Sequence, residues 1–280
     1  MIDNVTFQTF SHAGITIEGY SRAMVQTVWR VPSWNMGFDL GAMPWSFLET
    51  SNWFVSHPHL DHLAALPVLA SRRTILEFPT PTIVYLGEEC VDDAADLLKI
   101  WERLDCGPFN CTLKGIAAGD EVAIGRDLVV KAYTMQHRIP ALGFIVSEVK
   151  QKLKTEFQGL STDEVRDLKK KGIEVTHPVR TPLLAYTGDT RPEGLDANPE
   201  FYAARILIAE MSFVRMNHPR ERIHSYGHMH VADFVDRADR FQNECIIASH
   251  VSSRYEMDEA RQAVAEHLPA GLRERVHVWG

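Results

Sequence analysis

His57-Pro58-His59-Leu60-Asp61-His62 packs four metal-capable side chains into six positions, and its reading decides the fold. Three imidazoles and a carboxylate this close would repel protons and leave hydrogen-bonding capacity unused in a plain core. The pattern therefore points to a divalent cation. Upstream, Asn52-Trp53-Phe54-Val55-Ser56 reads as a buried strand running straight into the cluster. His57 and His59 lie two apart on extended chain and so face the same side, while Asp61 and His62 come from the turn that follows. One short segment can thus feed two neighbouring cations. Downstream, the stretch from His62 to Ser71 has helical apolar spacing, with Asp61 near its first turn.

Working outward, the first fifty residues carry apolar runs such as Ile15-Thr16-Ile17 and Ala23-Met24-Val25, broken by glycines, which suits short antiparallel strands. Pro81 to Leu86 reads as a strand and Cys90 to Leu104 as a helix. Glu121 to Ile124 and Leu128 to Tyr133 read as paired strands around Gly125, leading to His137. Strand Leu183 to Tyr186 delivers Asp189, strand Ile206 to Ala209 delivers Glu210, and strand Cys245 to Ala248 delivers His250. A helical stretch opened by Gly227-His228-Met229-His230 lies between the last two strands. Strands and helices alternate in both halves, which predicts an α/β fold of two packed sheets with helices outside, four layers in all.

A two-metal site needs more than four ligands, and His137, Asp189 and His250, each at the end of an apolar strand, are the natural further donors. The carboxylate of Asp189 can bridge two cations; a neutral histidine cannot. A single structural zinc or a hydrogen-bonded polar cluster is the plainer reading. Structural zinc usually closes its tetrahedron with cysteine, however, and no cysteine lies near these segments.

Composition narrows the class. With 280 residues, 45% hydrophobic and 24% charged, the chain reads as one globular domain over residues 1–280. No run approaches the roughly 18 apolar residues of a membrane span. MIDNVTFQTF lacks a basic segment followed by an apolar one, so a cytoplasmic protein is expected. Four cysteines without C-x-x-C spacing read as buried thiols. Of the thirteen histidines, His12, His177, His218, His267 and His277 have no metal-type partner nearby and read as surface or capping residues. The net charge of −8 argues against a surface that binds nucleic acid throughout. One basic island stands out: from Lys150 to Lys171, Lys150, Lys152, Lys154, Arg166, Lys169, Lys170 and Lys171 face Glu156, Asp163, Glu164 and Asp167. A solvated helical surface would explain it equally well.

The six-residue cluster matches without a gap the H-x-H-x-D-H signature of the metallo-β-lactamase superfamily, and the chain resembles it. That resemblance implies a four-layer αββα sandwich and a dinuclear metal site but leaves the substrate open. Three further features resemble one branch, the tRNA 3′-processing endonucleases called ribonuclease Z. Ala209-Glu210-Met211-Ser212-Phe213 is similar to that family's acidic motif. Gly227-His228-Met229-His230 stands where the family commonly has Gly-His-Ser-Thr, and Ser249-His250-Val251-Ser252-Ser253-Arg254-Tyr255 is close to its C-terminal metal-binding motif. Residues 148–180, from Val149-Lys150-Gln151-Lys152 onward, resemble the arm of short-form members, without the glycine-proline-rich element that others carry. The likeness runs from Phe38-Asp39-Leu40-Gly41 to Tyr255.

The resemblance implies a zinc-dependent endoribonuclease that removes 3′ trailers from precursor tRNA. Its Lys150, Lys152, Lys154, Lys169, Lys170 and Lys171 would contact RNA phosphates, and its arm in a homodimer would serve the partner's active site. Two cations, zinc foremost with manganese or iron also suited, would hold a hydroxide and clamp the phosphate. Asp61 would orient that water or accept its proton, and His228 paired with Glu210 would protonate the leaving 3′ oxygen, with His230 and His224 as alternates. A hydrolase of the same fold acting on a small phosphodiester, thioester or lactone is the second reading, and an RNA-binding module with a dead site the third.

Overall fold

The computed structural model describes residues 6–280, so the reading of the first five residues lies outside it. One sheet opens as antiparallel ribbons: β1 (Gln8–His12) pairs with β2 (Ile15–Ala23), β2 with β3 (Gln26–Val31), and β3 with β4 (Met36–Phe38). It continues in parallel through β5 (Asn52–Phe54), β6 (Thr82–Gly87) and β7 (Cys111–Ile116). Helices α1 (Leu60–Leu63), α2 (Leu66–Ile75) and α3 (Val91–Leu104) make these crossovers.

The second sheet starts with antiparallel β8 (Glu121–Ile124), β9 (Leu128–Met135), β10 (Ala141–Leu153) and β11 (Thr176–Tyr186), with α4 (Thr162–Lys170) between the last two. After α5 (Pro192–Ala197) and α6 (Glu200–Ala203), β12 (Ile206–Glu210) adds in parallel to β11. Beyond α7 (Arg220–Ser225) and α8 (Val231–Asp236), β13 (Cys245–Ser249) adds in parallel to β12. The two-residue β14 (Val251–Ser252) crosses to pair with β2. The chain then closes through α9 (Met257–His267), α10 (Ala270–Arg273) and β15 (Val276–Val278), which joins β13.

Three apolar layers fix the stacking. Trp29, Phe38, Phe54, Phe144, Val146, Leu184 and Ile208 interleave between the sheets. Leu66, Leu69, Ala94 and Leu98 seat α2 and α3 on the first sheet, and Phe201, Val231, Phe234 and Val264 seat the later helices on the second. The four-layer arrangement predicted from the alternation is present. Each fully buried phenylalanine of the central layer contributes about 1.5–3 kcal/mol. β10 shows where the core ends: Ala141–Val146 are all buried, whereas from Ser147 onward the strand is open to solvent on its way to α4. Residues 148–180 therefore project as a β-hairpin capped by a helix.

Three local expectations are corrected. The helix expected from His62 to Ser71 is two helices, because Pro67 has no amide proton to continue α1 and instead begins α2. Of Ala23-Met24-Val25, Ala23 ends β2 but Met24 and Val25 form the turn to β3, with Met24 in the left-handed region (φ 63). Of the four free cysteines only Cys245 is buried, and Cys106 is exposed.

Candidate metal centre

The site sits where β5, β9, β11, β12 and β13 end, so strand hydrogen bonds in two sheets set the positions of its side chains. His57, His59, His137 and Asp189 form one group of donor atoms within 4.8 Å of one another, and Asp61, His62 and His250 form another. Asp189 lies between them. Its carboxylate oxygens are 3.6 Å from His57 Nε2, 3.5 Å from His62 Nε2 and 3.3 Å from His250 Nδ1. All seven expected donors are thus brought together.

Hydrogen bonds on the far side of each ring decide which nitrogen faces inward. Ser56 Oγ donates to Asp39 at 3.0 Å and so accepts from His57 Nδ1 at 3.0 Å. Ser212 Oγ donates to Glu210 at 2.6 Å and accepts from His250 Nδ1 at 3.0 Å. His62 Nδ1 donates to Asp39 at 2.7 Å, and His137 Nδ1 donates to the Gly227 carbonyl at 2.9 Å. In their neutral forms all four rings keep an Nε2 lone pair directed into the cluster, which is how outer partners orient metal-binding histidines. Burial opposes charge on His62, but Asp189 and Asp39 favour its charged form.

The residues fit a pair of cations. His57 Nε2 and His59 Nδ1 face each other at 3.0 Å, and His62 Nε2 and His250 Nε2 at 3.2 Å, close approaches of lone pairs that a shared cation would satisfy. Asp189 Oδ1 is buried without a hydrogen-bond donor. Burial first, then the neighbouring imidazoles, holds His57 well below the ordinary histidine range; burial likewise lowers His59 and His137. Neutral imidazole is the form that binds metal. Asp61 is held at about 2: burial opposes its ionisation, but His250 and His62 outweigh it. The Met24 backbone N–H also fixes its carboxylate, at 2.8 Å.

Glu210 is buried at the end of β12 and accepts from Thr190 N at 2.7 Å, Met229 N at 3.1 Å, Ser212 Oγ and His228 Nδ1 at 3.1 Å. Burial opposes charge on His228, yet the Glu210 carboxylate beside it raises its pKa to about 9. Nε2 of that ring is left for the cleft. The two alternates are placed elsewhere. His230 caps α8, accepting from Ala232 N at 3.0 Å and donating through Nε2 to the Arg215 carbonyl at 3.0 Å. His224 is held by Asp233 at 2.9 Å.

An open cleft of about 710 Å³ leads to these groups, lined among others by His59, Asp61, His137, Asp189, His228 and His250. His218, expected to be a surface or capping residue, stands in its wall with Nδ1 2.8 Å from Tyr255 Oη. Asp39 is the most consequential residue that the reading of candidate ligands passed over. Fully buried at φ 56, it also accepts from Ser56 N at 2.7 Å and from Tyr186 Oη. A carboxylate directly after a strand, in Phe38-Asp39-Leu40-Gly41, was its signal. Gly41 is required beside it, since a Cβ there would strike the Asp61 carbonyl. Asp39→Ala should free the His62 ring and lower metal affinity about 10–100-fold, measured by competition with a chelator. Unaltered affinity would show that Asp39 does not orient His62.

No family model matches the chain. Over 265 residues, 94% of this chain and 94% of the relative, it is 34% identical to tRNase Z TRZ1 of Arabidopsis thaliana. It is 28% identical over 262 residues to chloroplastic tRNase Z TRZ2 of the same plant, covering 93% of this chain and 72% of that one. Among solved structures, the metallo-β-lactamase fold protein YhfI of Bacillus subtilis superposes with a TM-score of 0.63 at 13% identity, over 92% of each chain. Human tRNase Z, short form, superposes at 0.56 and 18% identity, over 98% of this chain and 95% of that one.

Proposed function

The chain belongs to the ribonuclease Z (tRNase Z) family, and on that premise we propose that it cuts precursor tRNA at the start of the 3′ trailer with two divalent cations, zinc foremost. It is a metal-dependent endoribonuclease of metallo-β-lactamase fold. The carrying observation is the convergence of seven histidine and aspartate donors with His228, whose donor atom also lies within 4.8 Å of those of Asp189 and His250 but whose Nδ1 is committed to Glu210.

When bound, the cations supply a nucleophile at neutral pH and neutralise charge at phosphorus. His57, His59 and His137 would hold one, Asp61, His62 and His250 the other, with Asp189 between them. Asp61, kept anionic and pinned by Met24 N–H, orients the attacking water. His228, charged at neutral pH, gives its Nε2 proton to the departing 3′ oxygen, and Glu210 holds the ring for that transfer. Imidazole-rich donors favour zinc and also accept iron or manganese.

The arm supplies the RNA contacts. Lys150, Lys154 and Lys170 are paired with Glu148, Glu174 and Asp167, whereas Lys152, Lys169 and Lys171 have no carboxylate partner among the described residues. The last three carry most of the phosphate binding in this reading; such contacts position RNA without reading its sequence. A homodimer is supported by the apolar stripe Leu97, Ile100, Trp101 and Leu104 on α3, exposed as are Val68 and Ile75 of α2 and Leu76 just after it.

Metal-replete protein is expected to cut a trailer-bearing precursor near its discriminator base. Deleting the arm should abolish that cleavage and spare bis(p-nitrophenyl) phosphate. Mixing the arm-deleted chain with the His228→Ala chain should restore processing, because in the mixed dimer an intact arm faces an intact site. Precursor left uncut while simple esters are hydrolysed would favour the small-substrate hydrolase. Mixtures as inactive as their parents would exclude an arm that serves the partner.

A further inference from the structure

On the rim of the cleft the Tyr226 ring has two guanidinium groups beside it. The Arg138 and Arg222 guanidinium carbons each lie 5.9 Å from its centroid, and Arg222 Nε donates to Tyr226 Oη at 3.3 Å. Tyr226 is 39% exposed. Elsewhere many arginines are tied to carboxylates, as Arg30 to Glu18, Arg180 to Glu121 and Arg237 to Asp196, and others to backbone carbonyls, as Arg72 to Met43 and Arg275 to Phe241. Arg138, Arg222 and Arg254, all lining the cleft, have no carboxylate partner among the described residues. Three cations without a carboxylate partner around an aromatic ring make a surface suited to something anionic and flat. A nucleotide is both: its base stacks on the ring and its phosphates meet the guanidiniums.

The position of the ring selects the nucleotide. Tyr226, Gly227 and His228 are consecutive. Gly227, at φ +80, leaves no room for a Cβ against His137, so Tyr226 and His228 are held on the same wall. His228 faces the departing 3′ oxygen, and that oxygen belongs to the nucleoside 5′ of the cut. Resting on the ribonuclease Z reading above, we propose that Tyr226, with Arg138 and Arg222 beside it, is a stacking platform for that nucleoside, the last one retained in the mature tRNA. The stack aligns the leaving oxygen with His228, so its loss is felt in catalysis and not only in affinity.

The test is a two-by-two comparison of kcat/KM. Wild type and Tyr226→Ala are each given a precursor with its normal base 5′ of the cut and one with an abasic ribose there. Wild type should lose about tenfold or more on the abasic precursor, in line with about 1–3 kcal/mol for a base stacked on an aromatic side chain. Tyr226→Ala should lose a similar factor on the normal precursor and little more on the abasic one. Tyr226→Phe and Tyr226→Trp should retain most of the activity, because the ring and not the hydroxyl does the stacking. Wild type indifferent to the abasic site would overturn the platform without any appeal to a variant. So would losses that multiply, or a Trp variant as impaired as the Ala one. Wild type that leaves the normal precursor uncut would overturn the enzymatic reading and the platform with it, an outcome distinct from the others.

Discussion

His228→Ala is expected to lower kcat on precursor tRNA by about 10²–10⁴-fold, the range for a positioned general acid, while the protein keeps its full metal complement. The proposed role rests on how the ring is held. Its Nδ1 is committed to Glu210, which is buried and accepts three further hydrogen bonds, so the carboxylate cannot swing away. A 3′ ribose oxygen is a poor leaving group and needs the proton; p-nitrophenolate does not. The same substitution should therefore cost much less on bis(p-nitrophenyl) phosphate, and the ratio of the two losses measures the acid. Metal analysis of the variant closes the account, since a ligand would take its cation with it. Equal losses on both substrates, or loss of a metal, would assign His228 to the metal centre instead. Glu210→Gln, which keeps the shape and removes the charge, should fall between wild type and His228→Ala.

Asp61→Ala should leave less than about a thousandth of the cleavage, and for a different reason. The residue is both a donor of the second metal group and the anion held by Met24 N–H at the mouth of the site. Its removal takes away one donor and the water's orientation together. Bound metal should fall from two ions per chain toward one, and both precursor and small-diester turnover should collapse in parallel. The contrast with His228→Ala is diagnostic: one variant loses chemistry that depends on the leaving group, the other loses all of it. A variant that keeps two ions and a tenth of its activity would restrict Asp61 to a peripheral part.

Most of the fold and the convergence of the candidate donors could be read from the chain because both depend on local pattern. Short apolar strands ending in His137, Asp189, Glu210 or His250 announce themselves by composition, and strand ends in a two-sheet stack converge on one edge. Less legible was whatever depends on which long-range partner a polar group finds. Nothing near His230 in sequence distinguishes it from His228; the difference is that Arg215 O and Ala232 N claim both its ring nitrogens. Asp39 gives no periodic signal, and its importance arises from meeting His62, Ser56 and Tyr186 across two sheets. His218 was set aside because Tyr255, its partner, lies 37 residues away. Helix breaks fell in the same class: the apolar spacing after His62 is helical, and a single missing amide at Pro67 divides it.

The carbonyl of Gly227 fixes the tautomer of His137, while its neighbours on either side carry the proton donor and the aromatic rim. In the proposed mechanism one peptide unit therefore links affinity for the cation, acidity at the scissile bond and reception of the RNA end. An exchange that shifts this turn is then expected to be felt in all three at once.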